Sequence, residues 1–258
     1  MSRFHRFDRY AHALALALIF AACACAASNN LVIPGTSDIW LASQPNGTNL
    51  NNGFGSPDVA PANSPVLAST GLNLTAGSVL TFSATGTTNF GGCVSPSPDG
   101  AGACGNFTGI AFFGISSYTG PVNALVGVFL DNNTPGGAAP AGLDFSTGAS
   151  QAQTTLSPQL RQVFFIGDGL TGTGSGTVQQ IVIPSGATRL FLGSSDGPGA
   201  SFNNSSSFNV TVSDSAPAAP VTPGAQGVPA GSTFMLVLTG TLLVGIAGYL
   251  LTRRASSY

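Results

Sequence analysis

The chain has 258 residues and a net charge of −2, and its charged residues are seven Arg and nine Asp, with no Lys and no Glu. Both His, His5 and His12, lie close to the N-terminus, so the rest of the chain offers no His general base, no Lys nucleophile and no His/Cys metal cluster. Residues 28–232 carry two Arg against eight Asp, too few basic residues for a nucleic-acid-binding surface. The eight Asp leave a paired-Asp hydrolase formally possible.

Residues 1–27 have the pattern of a secretory signal peptide. Three Arg precede the apolar run "ALALALIFAA", and small residues follow in "ACACAAS". Cleavage after Ala26 or Ala27 fits the small-residue rule. A lipoprotein signal, with Cys23 or Cys25 as the lipidated residue, is the alternative interpretation. Either signal predicts that the body of the protein is exported.

Short apolar runs between turn residues follow the signal. Residues 28–62 are rich in loop-forming residues, and we expect one edge strand at "IWLA" around Trp40. No helical periodicity is sustained between residues 63 and 213, so about eight short strands predict an all-β, antiparallel β-sandwich. The predicted strands lie at 79–86, 109–115, 124–130, 162–167, 177–184, 188–193 and 207–213.

Two cysteines lie outside the signal region. Cys93 and Cys104 suit an oxidising compartment, and we expect them to pair. Their C-x10-C spacing matches no zinc pattern.

The segment "SSDGPGASFNNSSSF" connects two predicted strands and is long for a hairpin. Asp196 offers a carboxylate, Asn203 and Asn204 offer amide oxygens, and the Gly-Pro-Gly run lets backbone carbonyls turn toward the same point. Calcium takes six to eight such oxygens. The same residues are also ordinary turn formers, so the segment is either a cation site or a plain loop.

The segment "SDGPGASFNNSSSFNV" resembles the calcium loop of the bacterial galactophilic lectins of the PA-I type, and "NLTAGSVLTFSATGTTNFG" resembles an early strand of that family. The resemblance covers residues 63–213 and implies a jelly-roll, galactose-binding-domain-like sandwich that binds Ca²⁺ and a sugar. The implied calcium ligands are the side chains of Asp196, Asn203 and Asn204 and the backbone carbonyls of Ala200 and Phe90. The implied sugar contacts are Asp196, Gly197, Asn203, Asn204 and Asp99.

The chain departs from that family in two places. Ala200 stands where the family has a Thr whose hydroxyl reaches the sugar, and "SPDGAG" at 97–102 lacks the family's His and Gln. Galactose specificity is therefore not implied, and the sugar is either of galactose type or an exopolysaccharide. With Asp196 as the single evident carboxylate, we expect a calcium Kd of about 10⁻⁴–10⁻³ M.

The C-terminal part predicts a linker and a membrane segment. Residues 214–230 are Pro/Ala/Gly-rich, and the uncharged run 234–251 would span about 27 Å as a helix. Arg253 and Arg254 follow it and would lie in the cytoplasm. The stretch "VPAGSTFMLVLTGTLLVGIAGYLLTRR" has a Val-Pro-x-x-Ser/Thr motif, an apolar span and a basic end. It resembles a PEP-CTERM-type sorting signal without its Pro-Glu-Pro core, which implies that residues 231–258 are processed by an exosortase-type enzyme. A plain stop-transfer anchor is the alternative.

Two functions follow as expectations. The first is a calcium-dependent carbohydrate-binding module on the surface or in the extracellular matrix of a Gram-negative bacterium, tethered transiently or permanently by its tail. The second is a structural component of the matrix or surface layer, in which calcium only stabilises the loop. Neither function is enzymatic.

Overall fold

The computed structural model describes residues 26–214, apart from positions 52, 54, 91 and 101–103. The predicted signal peptide up to residue 25, including Cys23 and Cys25, lies outside the described residues, as do the linker from residue 215 and the predicted membrane segment. In the part that is described, no helix is both long and apolar enough to cross a bilayer.

The described chain is mostly strand, which confirms the all-β prediction. A single turn of α-helix lies at Gly148–Gln151, and 3-10 turns lie at Ile39–Leu41 and Ser201–Asn203. The strands in chain order are β1 (Ser28–Pro34), β2 (Asn49–Leu50), β3 (Asp58–Val59), β4 (Val66–Leu67), β5 (Val79–Phe90), β6 (Cys93–Val94), β7 (Asn106–Gly109), β8 (Tyr118–Pro121), β9 (Leu125–Leu130), β10 (Leu143–Asp144), β11 (Thr155–Leu156), β12 (Val163–Phe165), β13 (Leu170–Gly172), β14 (Ser175–Val178), β15 (Gln180–Val182), β16 (Arg189–Ser194) and β17 (Ser205–Asp214).

Two sheets enclose the core. One has the order β1-β17-β5-β15-β11, with β6 paired to β5, and the other has the order β12-β9-β16-β4. The long strands β5 and β17 pair antiparallel over ten residues. Their alternating apolar residues, such as Phe82 and Val212, face one continuous core, while most of their Ser and Thr face outward and Thr88 is buried. Strand β9 is buried along its whole length, as expected of a strand covered on both faces.

Smaller strand pairs flank these sheets. Strands β10, β8 and β7 form a three-stranded sheet, and β13 pairs with β14. Strand β2 pairs with β3, which places Leu50 opposite Asp58.

The structure corrects two strand predictions. Residues 39–41 near Trp40 form a 3-10 turn rather than an edge strand, because the Asp38 carboxylate accepts the Trp40 N–H at 2.8 Å and caps the turn. The edge strand is β1, which pairs with β17 along seven residues. The strand predicted at 109–115 is also wrong, since β7 ends at Gly109 and left-handed residues at Phe113 and Gly114 turn the chain back.

Candidate functional site

The segment 195–204 connects β16 to β17 and is fastened at both ends. The Ser195 hydroxyl accepts the Ala124 N–H at 2.7 Å and donates to the Pro121 carbonyl at 2.6 Å. At the other end, the Asn204 side-chain amide donates to the Gly35 carbonyl at 3.1 Å. We call residues 195–204 the acidic loop. These buried hydrogen bonds give it one defined path between two core strands.

Glycine is required at the apex of the acidic loop. Gly199 has φ of +75°, in the left-handed region that other residues disfavour. A Cβ at this position would lie 2.5 Å from the Leu50 carbonyl oxygen, so the loop passes directly over β2. The turn closes as the Ala200 N–H donates to the Gly197 carbonyl at 2.9 Å.

Two Asp from the N-terminal segment hold the acidic loop from below. Asp38 accepts the Gly199 N–H at 2.8 Å through Oδ2, and Asp58 accepts the Ser201 N–H at 2.8 Å through Oδ2. Both carboxylates are fully buried. Neither residue was predicted as part of the site, because both lie in a loop-rich stretch that the lectin resemblance does not cover. One feature of the sequence pointed to buried carboxylates. In "SDIW" and "SPDVA" an Asp precedes apolar residues, and no basic residue lies nearby in the sequence.

The cluster contains three buried oxygen atoms that have no hydrogen-bond partner. They are Asp58 Oδ1, Asp196 Oδ2 and Asn204 Oδ1, out of five such side-chain atoms in the described residues. The other oxygen of Asp196 accepts the Gly197 N–H at 2.6 Å. A buried oxygen without a partner costs about 1–3 kcal/mol, and more when it is charged. Three such oxygens in one cluster can accept a proton or contact a cation.

Burial raises the pKa of every carboxyl in this cluster. Desolvation raises the pKa of Asp196 to about 6, and the nearby negative charge of Asp58 raises it further, while the Gly197 N–H and the Asn204 side chain oppose the shift. Desolvation also raises the pKa of Asp38 and of Asp58, whose side chains contact each other. The three carboxyl groups therefore share one low-dielectric region.

No cation of the described chain neutralises this region. Arg161 donates to the carbonyls of Gly136 and Ala138, and Arg189 donates to the carbonyls of Asp131 and Asn133. Since no Lys exists in the chain, the counter-charge must come from protons or from a bound cation.

A cleft of about 550 Å³ opens beside the acidic loop. Four predicted calcium-site residues lie on its wall, namely Asp196, Asn203, Ala200 and Phe90, whereas Asn204 is buried and does not line it. Its other walls are mostly aromatic or apolar and come from β7, the turn after β7 and the loop itself. These lining residues are Phe107, Thr108, Gly109, Ile110, Phe112, Gly197, Pro198 and Phe202.

Asp99, a predicted sugar contact, is not on this cleft. Its carboxylate accepts the Asp168 N–H at 2.8 Å, and the residue lines a separate cavity of about 170 Å³. An isolated antiparallel bridge pairs the backbone of Asp99 with that of Ala124 and holds Asp99 at this second cavity. Cys93 and Cys104 form a disulfide.

Carboxylates alone do not make a metal site here. Among the described residues, no three His, Cys, Asp or Glu side chains converge as metal ligands. A cation at the acidic loop would therefore take amide and backbone oxygens beside its carboxylates, a ligand set that suits calcium. Comparison of the chain with family models, with curated proteins and with solved structures gives no match.

Proposed function

We propose that this protein is an exported surface protein whose β-sandwich binds carbohydrate with the help of a calcium ion at the acidic loop. The observation that carries the proposal is the pair of unpartnered, buried oxygens on Asp196 and Asn204, in the loop that resembles the lectin calcium loop. Both residues are more than nine-tenths buried, so their free oxygens are not satisfied by bulk solvent.

The remaining ligands follow from the lectin resemblance and from the cleft wall. Asn203 is exposed on the cleft, and the backbone of Ala200 and Phe90 runs along the same wall. Calcium supplies coordination positions that vicinal sugar hydroxyls can fill. The side chains of Asp196, Asn203 and Asn204 would hold the ion and orient the hydroxyls.

The cleft supports carbohydrate as the ligand. Sugar rings carry apolar C–H faces as well as hydroxyls, and aromatic side chains accept those faces. The cleft presents Phe90, Phe107, Phe112 and Phe202 next to the polar acidic loop. This combination of apolar walls with few polar groups is typical of small-ligand sites. Because Ala200 supplies no hydroxyl and Asp99 lies elsewhere, the aromatic wall would provide most of the contacts beyond the calcium shell.

The first test measures glycan binding with and without a chelator. The full chain, purified in mild detergent, is applied to a glycan array in calcium and again in EDTA. We expect binding in calcium alone, and we expect Asp196→Ala to bind neither calcium nor glycan. Glycan binding that persists in EDTA would contradict the calcium-dependent mechanism.

Two neighbouring phenylalanines test the cleft. Both side chains pack against the core, with ring centroids 6.2 Å apart, but of the two only Phe112 lines the cleft. Phe112→Ala should weaken glycan binding about tenfold and leave calcium affinity unchanged, and Phe113→Ala should leave glycan binding unchanged at a temperature where it is folded. Equal effects of both variants on glycan binding would refute the assignment of the cleft.

A second candidate function is a structural component of the surface layer or matrix. It is favoured by the depth of the cluster, since Asp58 and Asp38 join the N-terminal segment to the acidic loop below the surface. Under this function calcium raises the thermal stability, but no glycan on the array is bound. The array and a melting curve, measured on one preparation, separate the two candidates.

Export and membrane attachment complete the proposal. The apolar segments at both ends, the sorting-signal resemblance of residues 231–258 and the Cys93–Cys104 disulfide all suit a surface protein. Mass spectrometry of the cell-surface fraction tests it. Loss of the residues after the "VPAGST" motif supports exosortase-type processing, whereas an intact C-terminus supports a stop-transfer anchor.

A further inference from the structure

We infer that Asp58 is a ligand of the calcium ion at the acidic loop, so that two distant parts of the chain build one cation site. The inference rests on the proposed calcium site and extends it to a residue that the lectin resemblance does not reach. Asp58 lies on β3, outside the region 63–213, and its place in the site is a property of the fold.

The two oxygens of Asp58 have different roles. Oδ2 accepts the Ser201 N–H at 2.8 Å and is thereby fixed against the acidic loop. Oδ1 accepts no N–H group although the residue is fully buried. Without a cation, the Asp58 side chain hydrogen-bonds to the Asp38 carboxyl, whose pKa is raised first by burial and then by this contact. A carboxylate held by one oxygen, with the other free and shielded from water, is oriented for a cation.

The free oxygen belongs to the same cluster as the loop ligands. The Ser201 N–H donates to Asp58 at 2.8 Å and the Ser201 carbonyl accepts the Asn204 N–H at 3.0 Å, so both side chains belong to residues bonded to Ser201. The charge of Asp58 also acts on the Asp196 carboxyl, whose side chain interacts with that of Asn204. Asp196 and Asn204 each carry one of the other unpartnered oxygens. Two carboxylates and one amide with unpartnered oxygens supply ligand types of the kind that calcium takes.

Asp38 differs from Asp58, which gives the inference its specificity. Both oxygens of Asp38 accept backbone N–H groups, from Trp40 and from Gly199, each at 2.8 Å. Asp38 therefore positions the loop and has no unpartnered oxygen. The inference assigns a ligand role to Asp58 and a positioning role to Asp38.

The test compares charge-removing variants that keep the side-chain shape. Calcium chloride is titrated into the full chain by calorimetry for wild type, Asp58→Asn, Asp196→Asn and Asp144→Asn. Asp144 is exposed, and its carboxylate accepts a local N–H, that of Ser146, so it controls for the loss of one charge. In Asp58→Asn the amide oxygen can still accept the Ser201 N–H.

We expect the calcium Kd to rise at least tenfold in Asp58→Asn and in Asp196→Asn and to stay within twofold of wild type in Asp144→Asn. If Asp58→Asn binds like wild type while Asp196→Asn does not, the ligand role of Asp58 is wrong and the calcium site stands. If wild type shows no calcium binding at millimolar ion, the proposed function itself fails.

Hydrogen exchange on wild type provides a readout that does not depend on any variant folding. Calcium should slow exchange in residues 55–60 and in residues 199–204 together, because the ion would join the two segments. Protection confined to 199–204 would overturn the inference.

Discussion

The substitution Gly199→Ala probes how tightly the acidic loop is held against the N-terminal segment. Two costs add in this variant. A non-glycine residue at φ of +75° costs about 1–2 kcal/mol. The new Cβ would also lie 2.5 Å from the Leu50 carbonyl oxygen and 2.9 Å from Leu50 Cδ2, so the backbone must move. Overlap of this kind costs about 1–3 kcal/mol.

Gly71→Ala is the matched control. Gly71 has φ of +79°, and an added Cβ there meets nothing within 4 Å. It therefore carries the conformational cost without the overlap. We expect a loss of about 1–2 kcal/mol for Gly71→Ala and of about 2–5 kcal/mol for Gly199→Ala.

The fluorescence of Trp40 measures both variants during urea unfolding. It is the single Trp of the chain and is 1% exposed, so its signal reports the folded sandwich alone. The displaced Leu50 is paired with Asp58, so calcium affinity should fall in Gly199→Ala and stay constant in Gly71→Ala. Equal stabilities of the two variants, within about 0.5 kcal/mol, would refute the close contact between loop and β2.

Three further predictions concern the ion, the pH and the disulfide. Calcium at 100 times its Kd should stabilise the protein by about 2.7 kcal/mol, and EDTA should reverse the gain in a melting curve. In EDTA, Asp196 with a folded pKa of about 6 binds more protons between pH 4 and 6 than it does in the unfolded chain. Its contribution to stability is therefore complete below about pH 4 and is lost, by up to about 3 kcal/mol, as pH rises through 6. A rise in the urea midpoint over that range would contradict this. Replacing Cys93 and Cys104 by Ser should lower the free energy of unfolding by about 3 kcal/mol, and an unchanged urea midpoint would show that the cross-link does not constrain the unfolded chain.

The strands that sequence predicted well are those with alternating apolar residues. Strand β17 repeats Phe208, Val210 and Val212 on one face, and the structure buries all three. The stretch 109–115 is equally apolar but turns back at Phe113 and Gly114, because apolar content does not encode the sign of φ. The turn after β7, which forms one wall of the cleft, could therefore not be predicted from short apolar runs.

The residues of the acidic loop could be predicted as a candidate site from the sequence, but the two Asp that hold the loop in place could not. Asp196, Asn203 and Asn204 are close in sequence, so their spacing carries information. Asp38 and Asp58 reach the loop across more than 140 residues of chain. Such contacts depend on the pairing of β1 with β17 and of β2 with β3, which no local pattern specifies. Asp99 shows that a local match can also mislead. Its segment "SPDGAG" corresponds to a sugar-contact loop of the lectin family, but Asp99 lines a different cavity.

The second carboxylate changes what the site can be. A cation held by Asp196 alone would keep a net positive charge in a buried place, and its affinity would lie in the weak range of extracellular calcium modules. With Asp58 added, two carboxylates balance the charge of one calcium ion, and the expected Kd moves toward about 10⁻⁷–10⁻⁵ M. If Asp58 is a ligand, residues 63–213 do not contain the whole site. A chain beginning at residue 63 would lack β1, the Asp38 contact to Gly199 and the free oxygen of Asp58. With the proposed calcium ion bound, the cation, the N-terminal segment and the acidic loop would stabilise one another, and neither segment would retain the complete site without the other.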